Sequence, residues 1–302
     1  MINFFRNKPI ISVIVVIYNM RREAKRTLFS LSSQYQQDVK ESDYEVIVVE
    51  NGSTEPLTEE FVKSFGSNFR YYYINNASPS PVPAINFGAR KAKGKILGLM
   101  IDGARMLTPG VIKYAMLASR SFHNPIIVTL IWHLGPDVQH LSIKNGYNTE
   151  KEDELLDNIK WPSNGYRLFE ISSLAQGSKD GWLYSIAESN CFFIHKRTFD
   201  LLSGYDEHFN LPGGGSANRD IYARACALPD ADLVYILGEG SFHQLHGGVS
   251  TDILPSLRQN LIDRFHEQYF NLRSIKYSSP KNKIHFIGHF PGASFRFFKF
   301  KD

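Results

Sequence analysis

Apolar residues in this chain gather in short unbroken runs, and each run stops abruptly at polar residues. Ile10 to Ile17 ends at Tyr18-Asn19, Tyr44 to Val49 at Glu50-Asn51-Gly52-Ser53, and Lys95 to Ile101 at Asp102-Gly103-Ala104-Arg105. Runs of this length without polar alternation predict strands buried on both faces. Helical spacing separates them. Ala24, Leu28, Leu31 and Tyr35 recur at steps of four, three and four, and Leu57, Phe61 and Phe65 at steps of four. Phe69 to Ile74 reads as a further strand, Pro83 to Lys93 as a helix with proline in its first turn, and Pro109 opens another helix. Strands alternating with helices up to about residue 130 predict a doubly wound, nucleotide-binding type of sheet. Right-handed crossovers make such a sheet parallel and bring its strand ends to one edge, where ligands of open α/β sheets bind.

The second half loses this rhythm. Gln139 to Ser178 mixes an acidic run, Glu150 to Asp157, with Pro, Gly and Asn. That composition predicts a long surface excursion or lid, with the acidic run as a solvated helix. Cys191 to His195 is strand-like, Ala217 to Ala227 and Ile253 to Leu272 are helical, and Ile284 to Lys301 interleaves Phe with Lys, Arg and His.

Composition narrows the chemistry. The 302 residues are 43% hydrophobic, enough for a substantial core, and the net charge is +4. That mild basic excess suits anionic small molecules or an anionic membrane surface, and it lacks the dense Lys/Arg clustering of a nucleic-acid binder. Only Cys191 and Cys226 are present, which fits a reducing cytosol and leaves a single bridge open. No run approaches the ~18 apolar residues of a membrane span, and no cleavage site follows the first apolar run. A cytoplasmic protein is expected. The tail carries Phe286, Phe290, Phe295, Phe297, Phe298 and Phe300 among basic residues. Packing of those rings onto the domain is the expected reading, with a peripheral contact at the inner face of the membrane as the alternative.

Four segments, in order, resemble a family-2 glycosyltransferase, the inverting enzymes of the GT-A fold. They are Ser12 to Asn19, Val48 to Thr54, Ile101 to Ala104, and Leu211 to Gly215 with Arg219 to Arg224. The resemblance implies an α/β fold: a GT-A type nucleotide-binding sheet, mostly parallel, with an acceptor-side subregion and a C-terminal helical extension. Residues 1–250 would form the GT-A-like domain, with 1–130 the nucleotide-sugar half and 131–250 the acceptor half. Residues 251–302 would be a helical, aromatic-basic extension. The implied activity moves a sugar from a nucleotide-diphosphate sugar to a carbohydrate or lipid-linked acceptor with inversion, in cell-surface polysaccharide assembly.

In that family the ends of the first two strands hold the nucleotide, which implies Tyr18, Asn19, Glu50 and Asn51 here. A carboxylate can accept hydrogen bonds from a base N–H or ribose hydroxyls. Asn86 to Gly94 looks like the helix over the diphosphate, with Asn86 and Arg90 on the donor and Lys91 and Lys93 adding charge. Asp102 matches the first acid of the Asp-Xaa-Asp metal motif, and Ala104 stands where the second belongs. One carboxylate, phosphates and waters can still hold Mg2+ or Mn2+, and His246 resembles a later ligand. The alternative is a charge clamp by Arg105 or His246 on the departing diphosphate, with weak metal dependence. His243, three residues earlier, is open between a packed and a functional role.

Inversion by direct displacement needs a base for the acceptor hydroxyl. The resemblance puts Ala217-Asn218-Arg219-Asp220 at the family's Glu-Asp-Xaa-Asp, so Asn218 occupies the usual base position and cannot take a proton usefully. Asp220 is then the expected base, with Glu188 and Asp206 in reserve. Gly214 and Gly215 would let the backbone approach the acceptor, and Trp182, with Trp132, Trp161 and Tyr184 nearby, offers a flat face for a sugar. The altered acids also allow a rival reading, a non-catalytic nucleotide-sugar or carbohydrate binding protein. A nucleotidyltransferase is disfavoured by the lack of a Gly-rich, Lys-containing loop after the first strand.

Overall fold

A computed structural model describes residues 8–249, 253 and 255–298. β1 (Ile11–Ile17) and β2 (Tyr44–Glu50) are buried along their whole length, as their apolar runs require. β3 (Phe69–Tyr73) lies parallel beside β2 at the sheet's edge, and β4 (Ile96–Met100) lies parallel to β1 on its other side. Helices α1 (Arg21–Ser30), α2 (Glu59–Lys63), α3 (Val82–Lys91) and α4 (Val111–Ser121) make the crossovers. Gly88 lets α3 lie directly on β1, since a Cβ there would stand 2.3 Å from Ile14 Cγ2. α1 stops short of Tyr35, whose hydroxyl instead donates to Leu107 O at 2.9 Å.

The remaining strands are β5 (Arg105–Leu107), β6 (Pro125–Leu134), β7 (Ser172–Leu174), β8 (Phe192–His195), β9 (Asp232–His243) and β10 (Ile284–Gly288). They complete a 10-stranded sheet of order β10-β9-β6-β8-β4-β1-β2-β3, with β5 on β9 and β7 on β6. β8 runs antiparallel to both β4 and β6, while β6, β9 and β10 are mutually parallel. Because β4 and β6 both oppose β8, they share one direction. The ends of β1, β2, β4, β6 and β9 therefore reach the same edge. Along β1, Val13, Val15 and Ile17 join one apolar cluster and Ile14 and Val16 the other, so core covers both faces of the sheet.

Helices α5 (Gln139–Lys144) and α6 (Thr149–Ile159) occupy the segment expected as a surface excursion, with α7 (Lys196–Leu201) and α8 (Ala217–Cys226) after β8. The acidic run is a helix as expected. It is anchored, though, for Glu152 is fully buried and pairs with Arg22 at 3.2 Å.

The expected C-terminal extension is stitched into the domain. α9 (Pro255–Arg273) is tied down where Arg273 meets Asp206 and Asp220, at 2.7 and 2.6 Å, and β10 pairs with β9. Phe290 packs on Trp182 and Phe297 on Trp132, so much of the aromatic tail faces the core. Phe286 and Phe295 stay exposed, and Phe300 lies outside the described residues. No helix among the described residues is long and apolar enough to cross a membrane, and Cys191 and Cys226 are free and buried.

Candidate active site

A cleft of about 810 Å³ opens at the edge where the strands end. Tyr18 and Asn19 follow β1, and Asn51 and Gly52 follow β2; all four line it. Asn19 has a left-handed φ of 51° and ties the two strand ends together. Its N–H donates to Ser53 Oγ at 2.7 Å, and its Oδ1 accepts from Thr54 N at 2.9 Å. Tyr18 is thereby left with 52% of its surface open, a ring face free to stack on a flat ligand.

Deeper in the cleft, Asp102 ends the β4 run and meets three cationic or basic groups. Arg105 Nη2 and His243 Nε2 each lie 3.0 Å from its Oδ2, and His246 Nε2 lies 3.7 Å from its Oδ1. His243 is the last residue of β9, and His246 follows in the next turn. Their Nε2 atoms are 3.0 Å apart. Burial would raise the Asp102 carboxyl, yet the charges of Arg105, then His243 and His246, hold it well below the usual carboxylate range. Burial pushes the His243 imidazole down, against the pull of Asp102. Burial, helped by His243 and Arg105, does the same to His133.

One carboxylate oxygen and two imidazole nitrogens thus converge within 4.8 Å of one another. Cis ligands on one octahedral ion, each at about 2.1 Å, stand about 3 Å apart. The spacing fits a divalent cation. Two imidazoles in the donor set suit a transition metal better than Mg2+.

The same cleft carries a second carboxylate. Glu188 Oε1 accepts from Arg219 Nε at 3.2 Å and Glu188 Oε2 from Asn218 Nδ2 at 3.3 Å, with all three lining the cleft. Asn218 is fixed further by Ser189 O at 2.8 Å and by the Tyr205 hydroxyl at 2.9 Å. Gly213, Gly214 and Gly215 all have positive φ, a conformation side chains resist, and bring bare backbone to the cleft. Arg258 of α9 also reaches it.

Residues 12–102 match the family model for glycosyl transferase family 2. No curated protein matches the sequence. Among solved structures, S. aureus TarS is similar with a TM-score of 0.52 at 14% identity, over 87% of this chain and 44% of that one. The chain therefore spans less than half the length of that structure. TarS 1–349 in complex with UDP-GlcNAc gives 0.51 at 14% identity, covering 86% and 72%. GalNAc-T7 with UDP, GalNAc and Mn2+ gives 0.50 at 17%, covering 89% and 52%. At these identities the likeness is one of fold, and the fold is GT-A.

Several residues expected to serve a glycosyltransferase stand elsewhere. Glu50 is 1% exposed and turns away from the cleft to brace its own loop, accepting from the Ser53 hydroxyl and from Leu57 N at 3.2 Å. Its neighbour Asn51 is the one that faces the cleft. Asn86 clasps the backbone of Tyr205, and Arg90 with Asn86 lines a separate depression beside Arg224 and Arg273. Neither reaches Asp102. Trp182 is buried between Trp132 and Phe290, and its indole N–H donates to Ile236 O at 3.2 Å, so it presents no face to a sugar. Trp132 and Trp161 are core as well.

Asp220 points away from the cleft. It is 1% exposed and held by Arg224 Nε at 2.7 Å and Arg273 Nε at 2.6 Å, with both carboxylate oxygens engaged. Asp206 joins the same ion network through Arg273. Of the three acids weighed for the base, only Glu188 lines the cleft that holds Asp102.

Proposed function

We propose that this protein is an inverting glycosyltransferase that uses a nucleoside-diphosphate sugar, with Glu188 as the general base. The observation that carries the reading is that Glu188 and the Asp102–His243–His246 cluster line a single cleft. Tyr18, Asn19 and Asn51 would hold the nucleoside, and Arg105 would add charge at the diphosphate. A divalent cation held by Asp102, His243 and His246 would supply Lewis-acid stabilisation of the leaving diphosphate. Glu188, steadied by Arg219 and Asn218, would accept the acceptor hydroxyl's proton as that oxygen attacks the sugar's anomeric carbon. The glycosidic bond to the diphosphate breaks on the opposite side, which inverts the centre. The glycine run beside Asn218 would seat a carbohydrate or lipid-linked acceptor, in keeping with a role in cell-surface polysaccharide assembly.

UDP sugars are the first donors to test, since TarS and GalNAc-T7 were solved with UDP or its sugars. A donor at 100 times its dissociation constant should raise stability by about 2.7 kcal/mol, readable as a thermal shift. With that donor, Glu188→Gln should keep donor affinity and lower turnover by about 10²–10⁴. Wild-type turnover in Glu188→Gln would end the base assignment. Donor binding with no turnover by any acceptor would favour a binding protein.

A further inference from the structure

The segment between β6 and β7 supplies no reacting group, yet its two helices, α5 and α6, reach the cleft's histidines from behind. Gln139 opens α5 and is fully buried. Its amide oxygen faces His243 Nδ1 in a hydrogen bond, and an amide oxygen can only accept. With Nδ1 donating to that oxygen, Nε2 would be left to present its lone pair to a cation bound beside Asp102 and His246. The Gln139 backbone N–H donates to His133 Nδ1 at 2.7 Å, which fixes the start of α5 against the sheet.

Glu152 does the corresponding work from α6. Its Oε2 accepts from Leu245 N at 2.9 Å, while Arg22 Nη1 donates to Leu245 O at 3.3 Å. Arg22 and Glu152 are themselves paired at 3.2 Å, so both polar groups of Leu245 are gripped by one ion pair. Leu245 immediately precedes His246. A fully buried carboxylate is costly to keep, and this one is spent on a strand end that carries a candidate ligand.

We propose that α5 and α6 form the outer shell of the cation site: Gln139 sets the tautomer of His243, and Glu152 with Arg22 sets where His246 stands. This rests on reading Asp102, His243 and His246 as that site. Gln139 and Glu152 are positioning residues, and partners of this kind are worth about 10–100-fold in metal affinity.

The test is Mn2+ titration of the full chain without nucleotide, followed by calorimetry or by the paramagnetic resonance of the free ion. Glu152→Ala and Gln139→Leu should each weaken Mn2+ binding by about 10–100-fold, with unchanged far-UV circular dichroism. Glu152→Gln keeps an acceptor for Leu245 N and should recover most of the loss. Asp153→Ala removes a partner of Arg22 and Arg26 that does not touch Leu245, and it should bind Mn2+ like wild type. If Glu152→Ala does not fold, Gln139→Leu carries the test alone. Wild-type Mn2+ affinity in the folded Gln139→Leu and Glu152→Ala variants would overturn the outer-shell inference while leaving the cation site standing. No Mn2+ binding by the wild type would remove the cation reading and this inference together.

Discussion

Asp220→Asn separates a structural acid from a catalytic one. The carboxylate accepts from Arg273 Nε at 2.6 Å, Arg224 Nε at 2.7 Å and Arg273 Nη2 at 3.0 Å. An asparagine offers one accepting oxygen and turns an NH2 group toward the other guanidinium, so donor meets donor. Removing one partner of a buried pair costs about 3–5 kcal/mol. The two arginine side chains are 25% and 23% exposed and can recover some hydration, which places the loss near the lower end, about 3 kcal/mol. At about 2–4 °C per kcal/mol for a domain of this general size, Tm should fall by about 6–12 °C. Turnover per folded molecule, measured well below that transition, should stay within about twofold of wild type, because Asp220 touches no residue of the cleft's reacting wall. Differential scanning fluorimetry paired with donor turnover reads both quantities. An unchanged Tm with turnover reduced by about 10² or more would refute the reasoning and restore Asp220 as the base.

Two further outcomes are expected. Asp102→Asn should abolish Mn2+ binding and weaken UDP binding by at least about tenfold in calorimetry, since a carboxylate ligand is lost; unchanged affinity for both would remove Asp102 from the donor site. Glu239 is fully buried, and burial pushes its carboxyl from 4.5 up to about 7. Between those values the folded chain holds a proton that the unfolded chain has released, so stability falls as pH rises through the window, by up to about 3 kcal/mol at pH 8. Glu239→Gln should therefore be more stable than wild type at pH 8 and equal to it near pH 4.5, and equal urea midpoints at both pH values would count against the argument.

The nucleotide half was readable because its strands are unbroken apolar runs, and burial on both faces leaves no other pattern open to them. β9 was hidden by Gly238, Glu239 and Gly240, which interrupt its apolar run where the register with β6 also shifts. Asp102 was legible from its place at a strand end, and so was its isolation from a second acid. Its neighbour in the cluster, His243, was visible only through His246, since a β9 unseen as a strand gives no direction for its last side chain. Asp220 was placed correctly in the first turn of α8, but the arginine that claims it stands 53 residues later. Pairing at that separation leaves no local signal. Trp182 shows the same limit: ring chemistry can be read from a letter, whereas the side it faces depends on Phe290 and Trp132 arriving from distant segments.

β8 has a consequence for any attempt to divide the protein. It lies between β4, from the nucleotide half, and β6, from the other half, hydrogen-bonded to both. A fragment ending near residue 130 would keep β1 to β4 yet lose the strand that covers β4, leaving a bare row of peptide groups along one of its most apolar elements. Such an open edge invites pairing with another copy. The two halves of the cleft are therefore a single cooperative unit, and a nucleotide-binding fragment cut at that boundary would aggregate rather than bind.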